Sequence, residues 1–251
     1  MGEAADTPKR IGLDESLNML AQLRDVLDRP QNEHQHFARF CLDNIGRCRS
    51  QNFQDLWAIY TLQVKSSGYF VEFGALDGVA YSNSLVFERN LGWTGIVAEP
   101  NRLWHEAIAQ NRKCAVDTRC VWTKSGEMLR FNQTPITGLS TIDAYSASDH
   151  NAPHRIAGER YEVESVSLDD LLDHWGAPRR IDYLSVDTEG SEYDILNAFD
   201  WRRHDIALIT VEMCSPATSL PLHHLLTEQG YVRKFEAFSR DDGWYMRPDL
   251  V

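Results

Sequence analysis

Two short stretches place carboxylates beside glycines at the ends of apolar runs. "YFVEFGALDG", from Tyr69 to Gly78, carries Glu72, Gly74, Ala75 and Gly78. "IDYLSVDTEGSEYDIL", from Ile181 to Leu196, carries Asp187, Glu189 and Glu192 around one glycine. A carboxylate at the end of a buried strand is costly unless it is paired, hydrogen-bonded or ligated. Two further runs end the same way. "GIVAEPN" delivers Glu99, Pro100 and Asn101, and "ALITVEMCS" delivers Glu212.

The first loop is neither the G-x-G-x-x-G pyrophosphate turn nor a phosphate-cradling loop ending in G-K-[ST]. Lys and Arg are absent from Tyr69 to Glu88, so a polyphosphate would meet only Glu72 and Asp77. A ligand that is cationic, or at least not anionic, suits it better. S-adenosylmethionine has that character, with a positive sulfonium, a positive amino group and one carboxylate. Gly74 and Gly78 would let the backbone approach it closely. Amides of a helix beginning near Ser82-Asn83-Ser84 would face its carboxylate, and Glu72 its amino group. Glu99 falls about 20 residues after the glycine loop, where an acid typically receives ribose hydroxyls. The competing reading makes Glu99 a solvated acid before a proline turn.

The second cluster has three readings. Glu189 or Glu192 caps the first turn of the helix "SEYDILNAF". Asp187 acts as general base on a substrate hydroxyl. Or Asp187 and Glu212 hold Mg²⁺ against a substrate oxygen. Asp117, Arg119 and Cys120 fall on or after the third strand, where an adenine ring would be met, although core packing suits Cys120 equally. His150 and His154 lie in a polar stretch, and His154 is the candidate base or sugar ligand there. No His/Cys spacing makes a zinc site.

These residues need a scaffold. From Tyr69 onward, apolar runs alternate with helical patterns, which implies an α/β fold with a doubly wound, mostly parallel sheet. "YVRKFEAFSRDDGWYMRP" predicts a closing antiparallel hairpin turning at "DDG". Residues 13–28 and "EHQHFARFCLDNIGR" predict two helices, an N-terminal extension over 1–49 that could serve as an arm or homodimer contact, ahead of a main domain over 50–251. Between about 131 and 161 the periodicity stops, and a loop of that length predicts a lid or substrate loop.

Composition sets the outer bounds. The chain has 251 residues, is 43% hydrophobic and has a net charge of −12 with no basic stripe, which argues against a nucleic-acid partner. Five cysteines without a CxxC pair argue for free thiols rather than a disulfide framework. No apolar run reaches membrane length. A cytoplasmic location, no membrane partner and a small-molecule or glycan substrate are the expectation.

Taken in order, "YFVEFGALDGVAYSNS", "GIVAEPN", "TGLST" and above all "IDYLSVDTEGSEYDIL" resemble the FkbM-like class I methyltransferases. "SQNFQDLWAIY", from Ser50 to Tyr60, is similar to the segment that often precedes the cofactor strand in relatives. The likeness covers about Ser50 to Tyr245. It implies a seven-stranded Rossmann-like sheet and S-adenosylmethionine-dependent O-methylation, commonly of sugars or natural products. It implies that Glu72, Gly74, Gly78, Ser84, Glu99 and Asn101, with Ala75, Pro100 and Cys120 beside them, line the cofactor pocket. Asp187 and Glu189 would face the reaction centre. The stretch after Gly138 is longer and more polar than a minimal member needs. Two other classes stay open: an NAD-dependent oxidoreductase or epimerase, and a non-catalytic domain that kept the cofactor fold.

Overall fold

The computed structural model describes residues 32–136, 138–213 and 215–251. The helix expected over 13–28, and Cys214, lie outside the described residues. Helix α1 (Glu33–Asn44) belongs to a unit ending at Ile45. Its N-cap is Asn32, whose Oδ1 accepts from the Gln35 N–H at 3.1 Å.

A second unit, Gly46–Val251, carries everything else. It opens with α2 (Gln54–Thr61), β1 (Tyr69–Phe73), α3 (Leu85–Leu91), β2 (Thr94–Ala98), α4 (His105–Asn111) and β3 (Ala115–Asp117). Next come β4 (Cys120–Trp122), β5 (Met128–Gln133), β6 (Thr141–Ile142), α5 (Ala152–Arg155), β7 (Glu159–Ser167) and α6 (Leu168–His174). The chain closes with β8 (Arg180–Val186), α7 (Glu192–Ala198), β9 (Asp205–Glu212), α8 (Pro216–Glu228), β10 (Val232–Lys234), α9 (Glu236–Ser239) and β11 (Asp242–Met246).

Seven strands form the main sheet in the order β10-β11-β9-β8-β1-β2-β3, with β11 antiparallel to its neighbours. The others run parallel, and β8 and β9 are covered on both faces, which is why they read as nearly continuous apolar runs. Strand alternation divides their side chains. Val71, Phe73, Ile96, Ala98, Leu184, Val186, Ile209 and Val211 share one core with Leu171, Ile195 and Leu222 of the covering helices. Phe70 and Tyr183 instead meet Phe87 of α3. The chain runs outward from β1 to β3 and then crosses to β8 on the other side of β1. That reversal opens a crevice at the carboxyl ends of β1 and β8, where doubly wound folds bind ligands.

Two expectations change. The interval 131–161 is not a patternless loop: its ends build a second sheet, β4-β7-β5-β6, with β5 and β7 paired antiparallel over Met128–Gln133 and Glu159–Glu164. Only β6, short helical turns and their links lie between. The closing hairpin is present, but α9 connects its strands, and of "DDG" only Asp241 lies in the turn while Asp242 and Gly243 open β11. The Asp241 carbonyl accepts from the Met213 N–H at 2.7 Å, and Asp242 pairs with Glu212, so the sheet takes up these residues.

Candidate active site

A cavity of about 490 Å³ opens at the carboxyl ends of the central strands. Gly74, Glu99, Pro100, Asn101, Cys120, Asp187, Glu189 and Glu212 all line it, so a single crevice gathers four strand ends that are far apart in sequence. Gly74 has φ +75°, and a Cβ there would stand 2.0 Å from the Asp187 carbonyl oxygen. Only glycine lets β1 and β8 close this tightly. Glu99 is 4% exposed, and its two carboxylate oxygens accept from the Leu76 and Asn101 N–H groups, each at 2.8 Å. Burial pushes its carboxyl up to about 7 against those two bonds, with some help from the charge on Glu72. Asn101 ties this loop to the second sheet's connection through Nδ2 to Ser140 Oγ, at 3.1 Å. Burial pushes the Cys120 thiol up to about 12, so it offers packing surface and no nucleophile.

Four proposed cofactor residues stand elsewhere. Glu72 shares the Phe70 face of β1, opposite Val71 and Phe73, and does not reach the cavity wall. Its carboxylate accepts from Ser82 Oγ at 3.0 Å, the Asn83 N–H at 2.6 Å, Arg112 Nη1 at 3.3 Å and Ser84 Oγ. Ser84 is fully buried, and its hydroxyl also accepts from Arg112 Nη2 at 2.9 Å. Gly78 leaves room for Arg112, whose Cγ a Cβ there would meet at 2.7 Å. Ala75 is 1% exposed and off the wall. These residues build the turn before α3 and do not line the pocket. Arg112, far down the chain, is the cation that makes this possible: it also takes Glu88 at 3.2 Å.

The acidic loop is held from three sides. Glu192 is the residue that caps it: Oε1 accepts from the Thr188 N–H and hydroxyl at 2.9 Å and from the Gly190 N–H at 3.0 Å. Glu189 has φ +60°, a left-handed conformation that costs a non-glycine residue roughly 1–2 kcal/mol. Thr141 Oγ1 holds it by donating to the Glu189 carbonyl at 3.0 Å. Arg155, with no exposed side-chain surface, donates to Glu189 Oε2 at 2.5 Å, Asp149 Oδ1 at 2.8 Å and the Leu139 carbonyl at 2.9 Å. This buried triad joins both connections of the second sheet to the DTEG loop. Glu189 is pushed up to about 7, by burial first, with Arg155 opposing.

Asp187 stands half-buried on the wall, hydrogen-bonded to Glu212. Burial, then the charges of Glu189, Asp242 and Glu192, hold its carboxyl well above the usual range. One oxygen from each of Asp187, Glu189 and Glu212 lies within 4.8 Å of the others. His154 is exposed and off the wall; His150, one turn earlier, lines the cavity in its place. Asp117 is paired with Arg119 at 2.6 Å and receives Trp175 Nε1 at 2.9 Å, which leaves it structural.

Sequence reasoning did not assign Leu139, Asp241 or Arg155 to the site. It expected amides near Ser82-Asn83-Ser84 to face the cofactor carboxylate, whereas the Asn83 N–H donates to Glu72 Oε1 at 2.6 Å. Leu139 and Asp241 at least lie within "TGLST" and "DDG". Nothing local marks Arg155, because its partners come from other elements. Among the described residues, those lining the cavity include five carboxylates, Glu99, Asp187, Glu189, Glu212 and Asp241, and no Lys or Arg.

The strand order and the acid-lined crevice at its reversal define a Rossmann-like methyltransferase fold. The methyltransferase FkbM domain matches residues 72–233, and the chain belongs to that family. No curated protein sequence matches it significantly. Among solved structures, precorrin-6y C5,15-methyltransferase from Geobacter metallireducens GS-15 is similar at 12% identity, with a TM-score of 0.41, over 76% of this chain and 85% of that one. The S-adenosylhomocysteine-bound methyltransferase PaMTH1 of Podospora anserina is similar at 9% identity, with a TM-score of 0.44, over 98% and 99%. Among the described residues, no helix is long and apolar enough to cross a membrane.

Proposed function

We propose that this chain uses S-adenosylmethionine to methylate a hydroxyl oxygen of a sugar or another small polyhydroxylated compound. The observation that carries the reading is the cavity's charge: five carboxylates and no Lys or Arg around a backbone opened by Gly74. That lining suits a cofactor with a net positive charge and repels a dinucleotide pyrophosphate. When bound, the cofactor supplies an electrophilic methyl group on a sulfonium. Glu99 would hold the ribose hydroxyls through the lone pairs its two backbone bonds leave free.

The residues beyond Gly74 would serve the acceptor. Leu139, Ser140, His150 and Asn151 line the same cavity as Asp187 and Glu189. A hydroxyl is a weak nucleophile at neutral pH, so its proton needs a receiver as the new C–O bond forms and the S–C bond breaks. Asp187 is that receiver, with Glu212 sharing the proton through their hydrogen bond. Alignment of the oxygen behind the methyl carbon supplies much of the acceleration. A second reading rests on the three converging oxygens of Asp187, Glu189 and Glu212, an all-oxygen donor set suited to a hard divalent cation that would orient the acceptor oxygen.

Calorimetric titration with S-adenosylhomocysteine and with NAD, each with and without Mg²⁺, separates these readings. Binding of S-adenosylhomocysteine alone supports the methyltransferase reading. NAD binding in its place overturns it, and so does the absence of binding to either. Acceptors are then screened by transfer of a labelled methyl group. Asp187→Asn should lower turnover by about a hundredfold or more while S-adenosylhomocysteine affinity stays within about threefold. Unchanged turnover would remove Asp187 from the chemistry. Cofactor binding with no transfer to any acceptor would favour a non-catalytic domain.

A further inference from the structure

Asn83 lines the cavity, is 6% exposed, and has no hydrogen-bond partner for its side-chain oxygen Oδ1. Its backbone and side-chain nitrogens are both engaged. Its N–H donates to Glu72 Oε1 at 2.6 Å, and its Nδ2 donates to Ser185 Oγ at 2.9 Å. An acceptor left without a donor in a buried place is costly, and in a native protein it calls for an explanation. The missing donor belongs to something the cavity receives.

Position along the sheet edge says which part of the ligand that is. Glu99 ends β2, whereas Asn83 is anchored to Ser185 of β8, on the far side of β1. Two strand spacings separate β2 from β8, about 10 Å, which is the reach from a ribose to the far end of an amino-acid side arm. Seated on Glu99, S-adenosylmethionine would place its hydroxyls at β2 and could extend its methionyl group toward β8. The donor that arrives there is the α-ammonium. Glu72 cannot receive it, because Arg112, Ser82, Ser84 and the Asn83 N–H already occupy its carboxylate.

We propose that Asn83 Oδ1 accepts a hydrogen bond from the α-ammonium of the cofactor's methionyl arm, and that Glu72 serves by fixing Asn83 in place. This rests on the methyltransferase reading above and adds the residue that distinguishes the amino-acid arm from a bare nucleoside. Ser82 and Ser84 on either side are bound to Glu72, so the middle residue of "SNS" is the one free to face the ligand.

The test uses the full chain and three probes: S-adenosylhomocysteine, its analogue lacking the amino group, and 5′-methylthioadenosine, which lacks the whole amino-acid arm. The wild type should bind S-adenosylhomocysteine about tenfold to hundredfold more tightly than the desamino analogue, the range for a hydrogen bond to a charged group. Asn83→Leu should erase that preference and leave 5′-methylthioadenosine affinity unchanged. Asn83→Asp keeps an acceptor at the same place and should retain the preference, which guards against a leucine variant that fails to fold. A wild type indifferent to the amino group overturns the proposal. So does a leucine variant that keeps the preference, or one that loses all three ligands equally while folded. Failure of the wild type to bind any of the three would instead overturn the methyltransferase reading.

Discussion

If Glu99 holds the ribose as proposed, it ties cofactor binding to pH. Its carboxyl is pushed up to about 7 from an ordinary value of 4.5, because burial outweighs the two backbone N–H bonds that favour the charged form. The ionised form is the better acceptor for two ribose hydroxyls. With a pKa of about 7, roughly one tenth of the protein carries that charge at pH 6 and about nine tenths at pH 8. S-adenosylhomocysteine should therefore bind about tenfold more weakly at pH 6, equivalent to about 1.4 kcal/mol. Calorimetric titration at both values measures this directly. Glu189 is pushed up to the same region and also lines the cavity, so the slope alone does not identify its source. Glu99→Gln does. The variant should bind about tenfold to hundredfold more weakly at pH 8, since it loses charge-assisted bonds, and its affinity should no longer depend on pH. A wild type with equal affinity at both pH values refutes the reasoning. A glutamine variant that keeps the full slope would refute it too, and would assign the slope to another carboxylate.

Two further predictions concern stability. Glu99, Glu189 and Asp242 each have a folded pKa near 7, well above their ordinary values of 4.5, 4.5 and 3.8. A raised folded pKa means the native state holds the proton more tightly, so this contribution is full below about pH 4 and is lost as pH rises through about 7. Thermal melting by circular dichroism should show a lower midpoint at about pH 8 than at about pH 6; a midpoint that rises over that window would contradict these assignments. Arg112→Met would leave Glu72 and Glu88 without their buried cation. The cost should be about 3–5 kcal/mol, or about 6–20 °C in the melting midpoint for a chain of this size. A loss under about 2 °C would show that those carboxylates do not need it.

Legibility in the sequence followed burial. β8 and β9 are covered on both faces and stood out as apolar runs, and their carboxyl-end acids fell on the cavity as expected. β7, "ERYEVESVS", packs mainly Val163, Ser165 and Val166 and exposes Glu159, Glu162 and Glu164. A strand that is half in water and rich in charge hides its period, so the second sheet passed for a loop. Glu72 shows the opposite error. The alternation Val71-Glu72-Phe73 already placed it on the other face from the core residues beside it. What the sequence did not show was the arginine 40 residues later that makes such a burial tolerable. His154 and His150 differ only by the turn leading into α5, and no spacing rule separates them.

The charges near the cavity explain why these acids take different parts. Glu72 and Asp117 are each paired with a protein cation, Arg112 and Arg119 respectively. Such pairs are complete, and they serve the fold. Glu99 is buried and Asp187 half-buried beside other carboxylates, with no ion-pair partner for either among the described residues, and both are pushed upward. Glu189 has Arg155, but it shares that guanidinium with Asp149 and is pushed upward as well. A site built this way is short of positive charge, and it holds protons in place of the missing counter-ion. On the reading proposed above, the ligand that completes it is a cation with hydroxyls to offer Glu99 and an ammonium to offer Asn83. A sulfonium nucleoside carrying an amino-acid arm meets all three conditions, whereas a dinucleotide pyrophosphate would add negative charge where the protein already carries too much. The fold alone admits both ligands, and the charge of the cavity wall decides between them.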